Sequence, residues 1–144
     1  MIEFKEIPEW WALCPGYECP KKGECLRHQA FLQSPKELKH WKCLLPQVLV
    51  DGDCQSYQKA EKVLMARGFH GIMNKIKSRD ARHDIRIALT NRYGSKGSYY
   101  RYKDGERILS PEEQQEIVNI LHKYGIEGDI AFDNYEETYD FTRI

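Results

Sequence analysis

Three cysteines fall within one short stretch, Cys14-Pro-Gly-Tyr-Glu-Cys19-Pro-Lys-Lys-Gly-Glu-Cys25, a C-x4-C-x5-C spacing. The intervening Pro15, Gly16, Pro20 and Gly23 are turn formers, and turns let neighbouring thiolates converge on one point. A structural zinc ion takes four ligands in a tetrahedron, as a rule Cys or His, so a fourth must come from elsewhere. The candidates are His28, Cys43 and Cys54. His28 follows Cys25 closely enough for a local Cys3His site. Cys43, in Trp41-Lys42-Cys43-Leu44-Leu45, reads as an ordinary buried cysteine. Cys54, in Asp51-Gly52-Asp53-Cys54-Gln55, occupies a turn like those around the first three and is preferred. The expected metal set is therefore Cys14, Cys19, Cys25 and Cys54, with zinc as the cofactor. An iron–sulfur cluster uses the same four thiolates, but no second redox signature accompanies them, so zinc is the simpler assignment. Against both stands a plainer reading, five reduced thiols with only a packing role, because no C-x2-C pair is present.

The cysteine count is odd, at five. Residues 1–10 include Glu3, Glu6 and Glu9 and no apolar stretch, which argues against an export signal and points to the cytoplasm. A disulfide framework is then not expected. No apolar run is long enough for a transmembrane helix. Enzymatic motifs are missing too: there is no G-x-S-x-G, Walker A loop, G-x-G-x-x-G or H-E-x-x-H. His28, His40, His70, His83 and His122 are scattered. The balance favours a non-enzymatic protein.

Charge is balanced overall, with 22 Lys plus Arg against 22 Asp plus Glu, which excludes a uniformly basic coat for nucleic acid. Locally it is segregated. Residues 67–107 hold eleven basic against four acidic side chains, whereas residues 126–144 hold six acidic against Arg143 alone. The basic stretch also contains Tyr93, Tyr99, Tyr100 and Tyr102, and basic with aromatic residues is the composition of phosphate-binding surfaces. Either this segment binds a polyanion or the acidic tail folds back on it. The polyanion reading would place Arg79, Arg82, Arg86 and Arg101 at a nucleic-acid interface.

The elements that must position these groups follow from capping and periodicity. Short helices are expected at 24–32 and from Ser34-Pro35-Lys36-Glu37 to about Trp41, the latter opened by a capping box. An extended run at 48–50 precedes the Asp51-Gly52 turn. Further helices are expected at 56–67, 69–77, 79–93 and 111–124. The last begins with the capping box Ser110-Pro111-Glu112-Glu113. Lys103-Asp104-Gly105 between β-prone runs predicts a hairpin at 99–109. Three helices followed by a hairpin is the order of a winged helix, with 99–109 as the wing. Phe132, Tyr135, Tyr139 and Phe141 make the acidic tail too apolar to stay in solvent, and it is expected to dock.

Cys14-x4-Cys19-Pro-x4-Cys25-Leu-Arg, Tyr99-Tyr100-Arg101-Tyr102 ahead of Ser110-Pro111-Glu112-Glu113-Gln114, and the closing Phe132-Asp133-x-Tyr135…Tyr139-Asp140-Phe141 resemble a small bacterial family of unknown function. The resemblance covers most of the chain. It implies a stand-alone bacterial cytoplasmic protein with a cysteine-rich N-terminal element, and it transfers no functional residue.

The expected fold is α+β and mostly helical. A metal-stapled N-terminal element at 1–55 precedes a helical body at 56–144 with one hairpin and a docked tail, the whole forming one compact unit. The expected function is that of a zinc-stabilised, non-enzymatic binding or adaptor protein whose partner, a protein or less readily a nucleic acid, the sequence does not name. The rivals are a winged-helix-like nucleic-acid binder and an iron–sulfur or redox protein. No membrane association is expected.

Overall fold

The computed structural model describes residues 2–143. It is mixed α and β and mostly helical. In chain order the elements are α1 (Leu26–Leu32), β1 (Leu49–Val50), β2 (Asp53–Cys54), β3 (Val63–Arg67), α2 (His70–Lys75), α3 (Arg79–Tyr93), α4 (Lys96–Lys103), α5 (Pro111–Lys123) and β4 (Asn134–Thr138). The strands form two separate antiparallel two-stranded sheets, β1 with β2 and β3 with β4. No helix among the described residues is long and apolar enough to cross a membrane.

The chain divides into two compact units. The first runs to Lys62 and takes back the end of the chain from Tyr139; the second is Val63–Thr138. The boundary thus falls at 62/63 rather than 55/56, and the tail is shared out between the units. The first unit packs Ile7, Trp11, Leu13, Leu26 and Ala30 into one cluster, with Tyr139 and Phe141 against its edge. The second buries Phe69, Ile85, Leu89, Leu109, Ile117 and Leu121.

Helices specified by local signals form where expected. Ser78 Oγ accepts the Ala81 N–H and caps α3, which Gly94 closes at φ +88°. Ser110 and Glu113 form a reciprocal capping box on α5, with Pro111 in its first turn. The Asp51-Gly52 pair has φ +52° and +79° and joins β1 to β2, a backbone that matches strand twist in two-residue hairpins.

Three expectations give way. No helix follows Ser34, whose hydroxyl donates back to the Phe31 carbonyl at 2.7 Å and helps to end α1. The helix expected at 56–67 is instead a loop leading into β3. That strand pairs with β4 from Val63↔Thr138 to Arg67↔Asn134. Its Ala66 also exchanges two backbone hydrogen bonds with Leu109, at 3.0 and 2.7 Å. Those partners override the helical preference of Leu64, Met65, Ala66 and Arg67, as tertiary context routinely does. The third is the hairpin at 99–109, where the first half is α4. Ser95 Oγ caps it through the Ser98 N–H, and Asp104-Gly105, read as a hairpin turn, terminates it with Gly105 at φ +85°. A helix puts Tyr99 against Phe69 and Tyr102 in a stack with Tyr93, ring centroids 4.2 Å apart. A strand would send alternate tyrosines to opposite faces. The wing of the winged-helix reading is therefore a helix.

Within the second unit the tail is docked. Phe132 is buried, and Asp133 accepts the N–H groups of His70 and Gly71 at 2.8 and 2.9 Å, capping α2. Glu136 pairs with Arg67 at 3.0 Å.

Candidate functional site

Cys14 is fixed by a short parallel bridge: the Leu13 N–H donates to the Lys42 carbonyl and the Leu44 N–H to the Leu13 carbonyl. The chain then reverses through Gly16 (φ +99°) and Tyr17 (φ +40°). Gly16 is needed here for two reasons. Its backbone is left-handed, and a Cβ would stand 2.6 Å from the His28 imidazole. Its N–H points at Cys14 Sγ, 3.4 Å away, an arrangement that favours a thiolate over a thiol. The Cys19 N–H closes the turn on the Gly16 carbonyl. After a 3-10 turn at Lys22–Glu24, Cys25 is the residue that precedes α1. Its own side chain is buried. Cys54 ends β2, opposite Leu49.

All four of these cysteines line one small cavity in the first unit, of about 20 Å³, together with His28 and Arg27. That is room for a single ion or water. Three separate stretches of chain therefore bring Cys14, Cys19, Cys25 and Cys54 to one place. Cys43 does not reach it: it is exposed rather than buried, and it lies outside the cavity. His28 does reach it, so both remaining candidates for the fourth position are present. The His28 Nδ1 lies 3.1 Å from the Cys14 carbonyl. A carbonyl only accepts, so Nδ1 is the donor in this contact. Among the described residues no three or more His, Cys, Asp or Glu side chains are arranged as a set that could hold a metal ion. All five thiols are unpaired by disulfides. Burial raises the Cys14 thiol above its ordinary value, the Gly16 N–H opposes this, and the neighbouring Cys25, Cys54 and Cys19 push it up further.

Sequence reasoning missed the role of Arg27. It is one of the few charged side chains to be buried, at 2% exposure. Its guanidinium donates to the carbonyls of Ala12 (2.7 Å), Ser56 (2.9 Å) and Arg143 (3.1 Å), and it lies 4.5 Å over the Trp11 ring. Among the described residues no carboxylate pairs with it. Burial lowers its pKa, while Cys25, Cys54 and Cys14 act in the opposite sense. No sequence signal distinguishes such an arginine from an exposed one, since arginine is mostly a surface residue.

The family can now be given. The chain belongs to DUF6078, a family of unknown function. The sequence pattern of DUF6078 matches residues 1–141. Comparison with curated proteins and with solved structures found no match. The family thus covers nearly all of the described chain and assigns no activity to the four cysteines.

The arginines of the polyanion reading sit in the second unit. Arg79, Arg82 and Arg86 lie on exposed positions of α3, and Arg101 on an exposed position of α4. With 99–109 no longer a hairpin, they do not form a helix-plus-wing pair. Arg67 and Arg92 of the same basic stretch are engaged internally, with Glu136 and Glu116.

Proposed function

We propose that this is a non-enzymatic binding or adaptor protein whose first unit is stapled by one structural zinc ion on Cys14, Cys19, Cys25 and Cys54. The observation that supports the reading is electrostatic as well as geometric. The thiols do not form a ligand set as they stand and would have to draw together on the ion, but four cysteines border one ion-sized cavity whose charged neighbours are Lys22 and the buried Arg27, the latter without a carboxylate partner among the described residues. Four neutral thiols leave that guanidinium uncompensated, and an isolated buried charge costs several kcal/mol or more. A zinc tetrathiolate has a net charge of −2 and would neutralise it. The Gly16 N–H directed at Cys14 Sγ is the kind of outer-shell contact that tunes a ligand.

A tetrathiolate site is closed. It offers no open position for water or substrate, which makes it a structural staple rather than a catalyst. The need for one is plain in the first unit. Its regular structure amounts to one seven-residue α-helix, three single 3-10 turns and a two-residue hairpin, and small loop-rich modules need a metal or a disulfide to supplement the core.

Elemental analysis of protein purified without added metal tests this. The expected result is one zinc per chain; iron with a coloured preparation would instead indicate a cluster. Chelation should destabilise the first unit and lower its melting temperature, because a structural zinc contributes folding free energy directly. Trp10, Trp11 and Trp41 all lie in that unit, so tryptophan fluorescence reports on it alone. Cys54→Ser should abolish stoichiometric zinc, and Cys43→Ser should not. Retention of zinc in Cys54→Ser with its loss in His28→Ala would move the fourth ligand to His28. Metal-free protein with an unchanged melting temperature overturns the proposal.

A further inference from the structure

The second unit contains a cleft of about 420 Å³ between α3 and the start of α4. That lies within the roughly 300–1,000 Å³ range of small-molecule sites. Its walls are His83, Arg86 and Ile87 on α3, and Lys96, Tyr99 and Tyr100 on α4. We propose that this cleft binds a small phosphomonoester with a flat ring, a mononucleotide being the representative, with Arg86 and Lys96 on the phosphate and Tyr100 and Ile87 against the ring.

Four observations support it. The first is unbalanced charge: among the described residues neither Arg86 nor Lys96 has an acidic partner. Among the described residues the one side-chain bond of Arg86 is to His83 Nδ1, at 3.0 Å. The second is backbone. The segment Gly94-Ser95-Lys96-Gly97-Ser98 leads into the first turn of α4. At Gly97 an added Cβ would meet nothing closer than Ser95 Oγ at 3.9 Å. The Ser98 N–H is taken by Ser95 Oγ and the Tyr99 N–H by the Ser95 carbonyl, which leaves the Lys96 and Gly97 N–H groups for an anion, a charge the helix dipole also favours.

The third is an orphaned donor. Tyr99 is 1% exposed and lines the cleft, yet its hydroxyl has no hydrogen-bond partner. Buried hydroxyls normally have one, and leaving one unmade costs stability. Burial pushes the phenol up to about 12, against the opposing effect of Arg86, so at neutral pH it remains a proton donor. The hydroxyl is enclosed, so a phosphate or ligand oxygen satisfies it only if the cleft wall shifts on binding. The fourth is apolar wall: Ile87 and Tyr100 are each 45% exposed, which gives a planar ring a surface to lie on.

Nuclear magnetic resonance titration of the full chain as purified with adenosine monophosphate tests the proposal, with adenosine and inorganic phosphate as separate arms. The expected result is saturable binding that perturbs Arg86, Lys96, Gly97 and Tyr100 amides and weakens with added salt. Adenosine should bind at least tenfold more weakly, because it lacks the phosphate. Inorganic phosphate should perturb Lys96 and Gly97 but not Ile87. Arg86→Gln and Lys96→Gln, both at exposed positions, should each weaken binding about tenfold, the equivalent of one charge-assisted hydrogen bond. Tyr99→Phe should weaken binding without lowering the melting temperature, since the hydroxyl it removes bonds to nothing in the protein. Absence of perturbation, perturbation centred elsewhere, equal affinity for adenosine, or affinity unchanged in Arg86→Gln, Lys96→Gln and Tyr99→Phe overturns the proposal.

Discussion

Replacing Arg27 with methionine keeps the length and removes the charge. The guanidinium makes three backbone hydrogen bonds, to Ala12, Ser56 and Arg143, and stacks on Trp11. Hydrogen bonds from a charged group contribute about 1.5–3 kcal/mol each, and a desolvated cation–π contact adds roughly 2 kcal/mol. Against these stands the relief of no longer burying a charge, several kcal/mol. The net loss expected for Arg27→Met is about 3–5 kcal/mol in the zinc-loaded protein. In the metal-free protein it should be smaller by about 1.4 kcal/mol or more, because the relief is then larger. There the arginine faces neutral thiols instead of a dianionic cluster. Coupling is reciprocal, so the same difference must appear as a zinc affinity reduced about tenfold or more. Urea unfolding followed by tryptophan fluorescence, with saturating zinc and with chelator, gives one side of the cycle. Competition against a zinc indicator gives the other. Arg27→Lys separates charge from geometry: it keeps the positive charge but cannot donate in three fixed directions. It should lose stability while retaining zinc affinity. If Arg27→Met loses the same free energy with and without zinc and binds zinc normally, Arg27 is only a brace for three loops and the charge-balance reasoning is wrong.

Two further predictions concern the second unit. At Gly68 (φ +79°) an added Cβ would stand 2.7 Å from Asp133 Oδ2 and 3.2 Å from its Cβ. Gly68→Ala should therefore cost more than the roughly 1–2 kcal/mol of a left-handed alanine, and Asp133→Ala about 1–2 kcal/mol through loss of the α2 cap. The double variant should fall short of the summed costs by about 1 kcal/mol, since the oxygen clash is gone; additivity within about 0.3 kcal/mol would refute the contact. Tyr99 sets an alkaline limit. Its folded-state pKa is raised to about 12, so its neutral form stabilises the fold fully below the unfolded value near 10, and that stability drains away as pH rises from about 10 to 12. Wild type should lose on the order of 2 kcal/mol more than Tyr99→Phe over that window in urea midpoints measured at successive pH; equal slopes would refute the shift.

Where a signal lies within about four residues of the group it acts on, this sequence could be read directly. Ser78 fixes the start of α3 and Gly94 its end; Ser110, Pro111 and Glu113 open α5; Asp51-Gly52 turns β1 into β2. The spacing and turn residues of Cys14, Cys19 and Cys25 suggested convergence; all three line one cavity, though they form no ligand set there. The same local grammar failed where two readings were open and distant chain decided. Asp104-Gly105 suits a hairpin turn or a helix end, and the packing of Tyr99 on Phe69 and Tyr102 on Tyr93 selects the helix. Val63–Arg67 suits helix or strand, and it is a strand because Asn134–Thr138, some seventy residues on, supplies its hydrogen bonds. Cys54 joins the cavity while Cys43, nearer in sequence, is left exposed outside it. Arg27 is buried because carbonyls from residues 12, 56 and 143 close around it. Caps and turns are energies between neighbours and are written in the order of residues. Strand pairing, burial of a charge and the meeting of thiols are energies between segments that only the folded chain brings together.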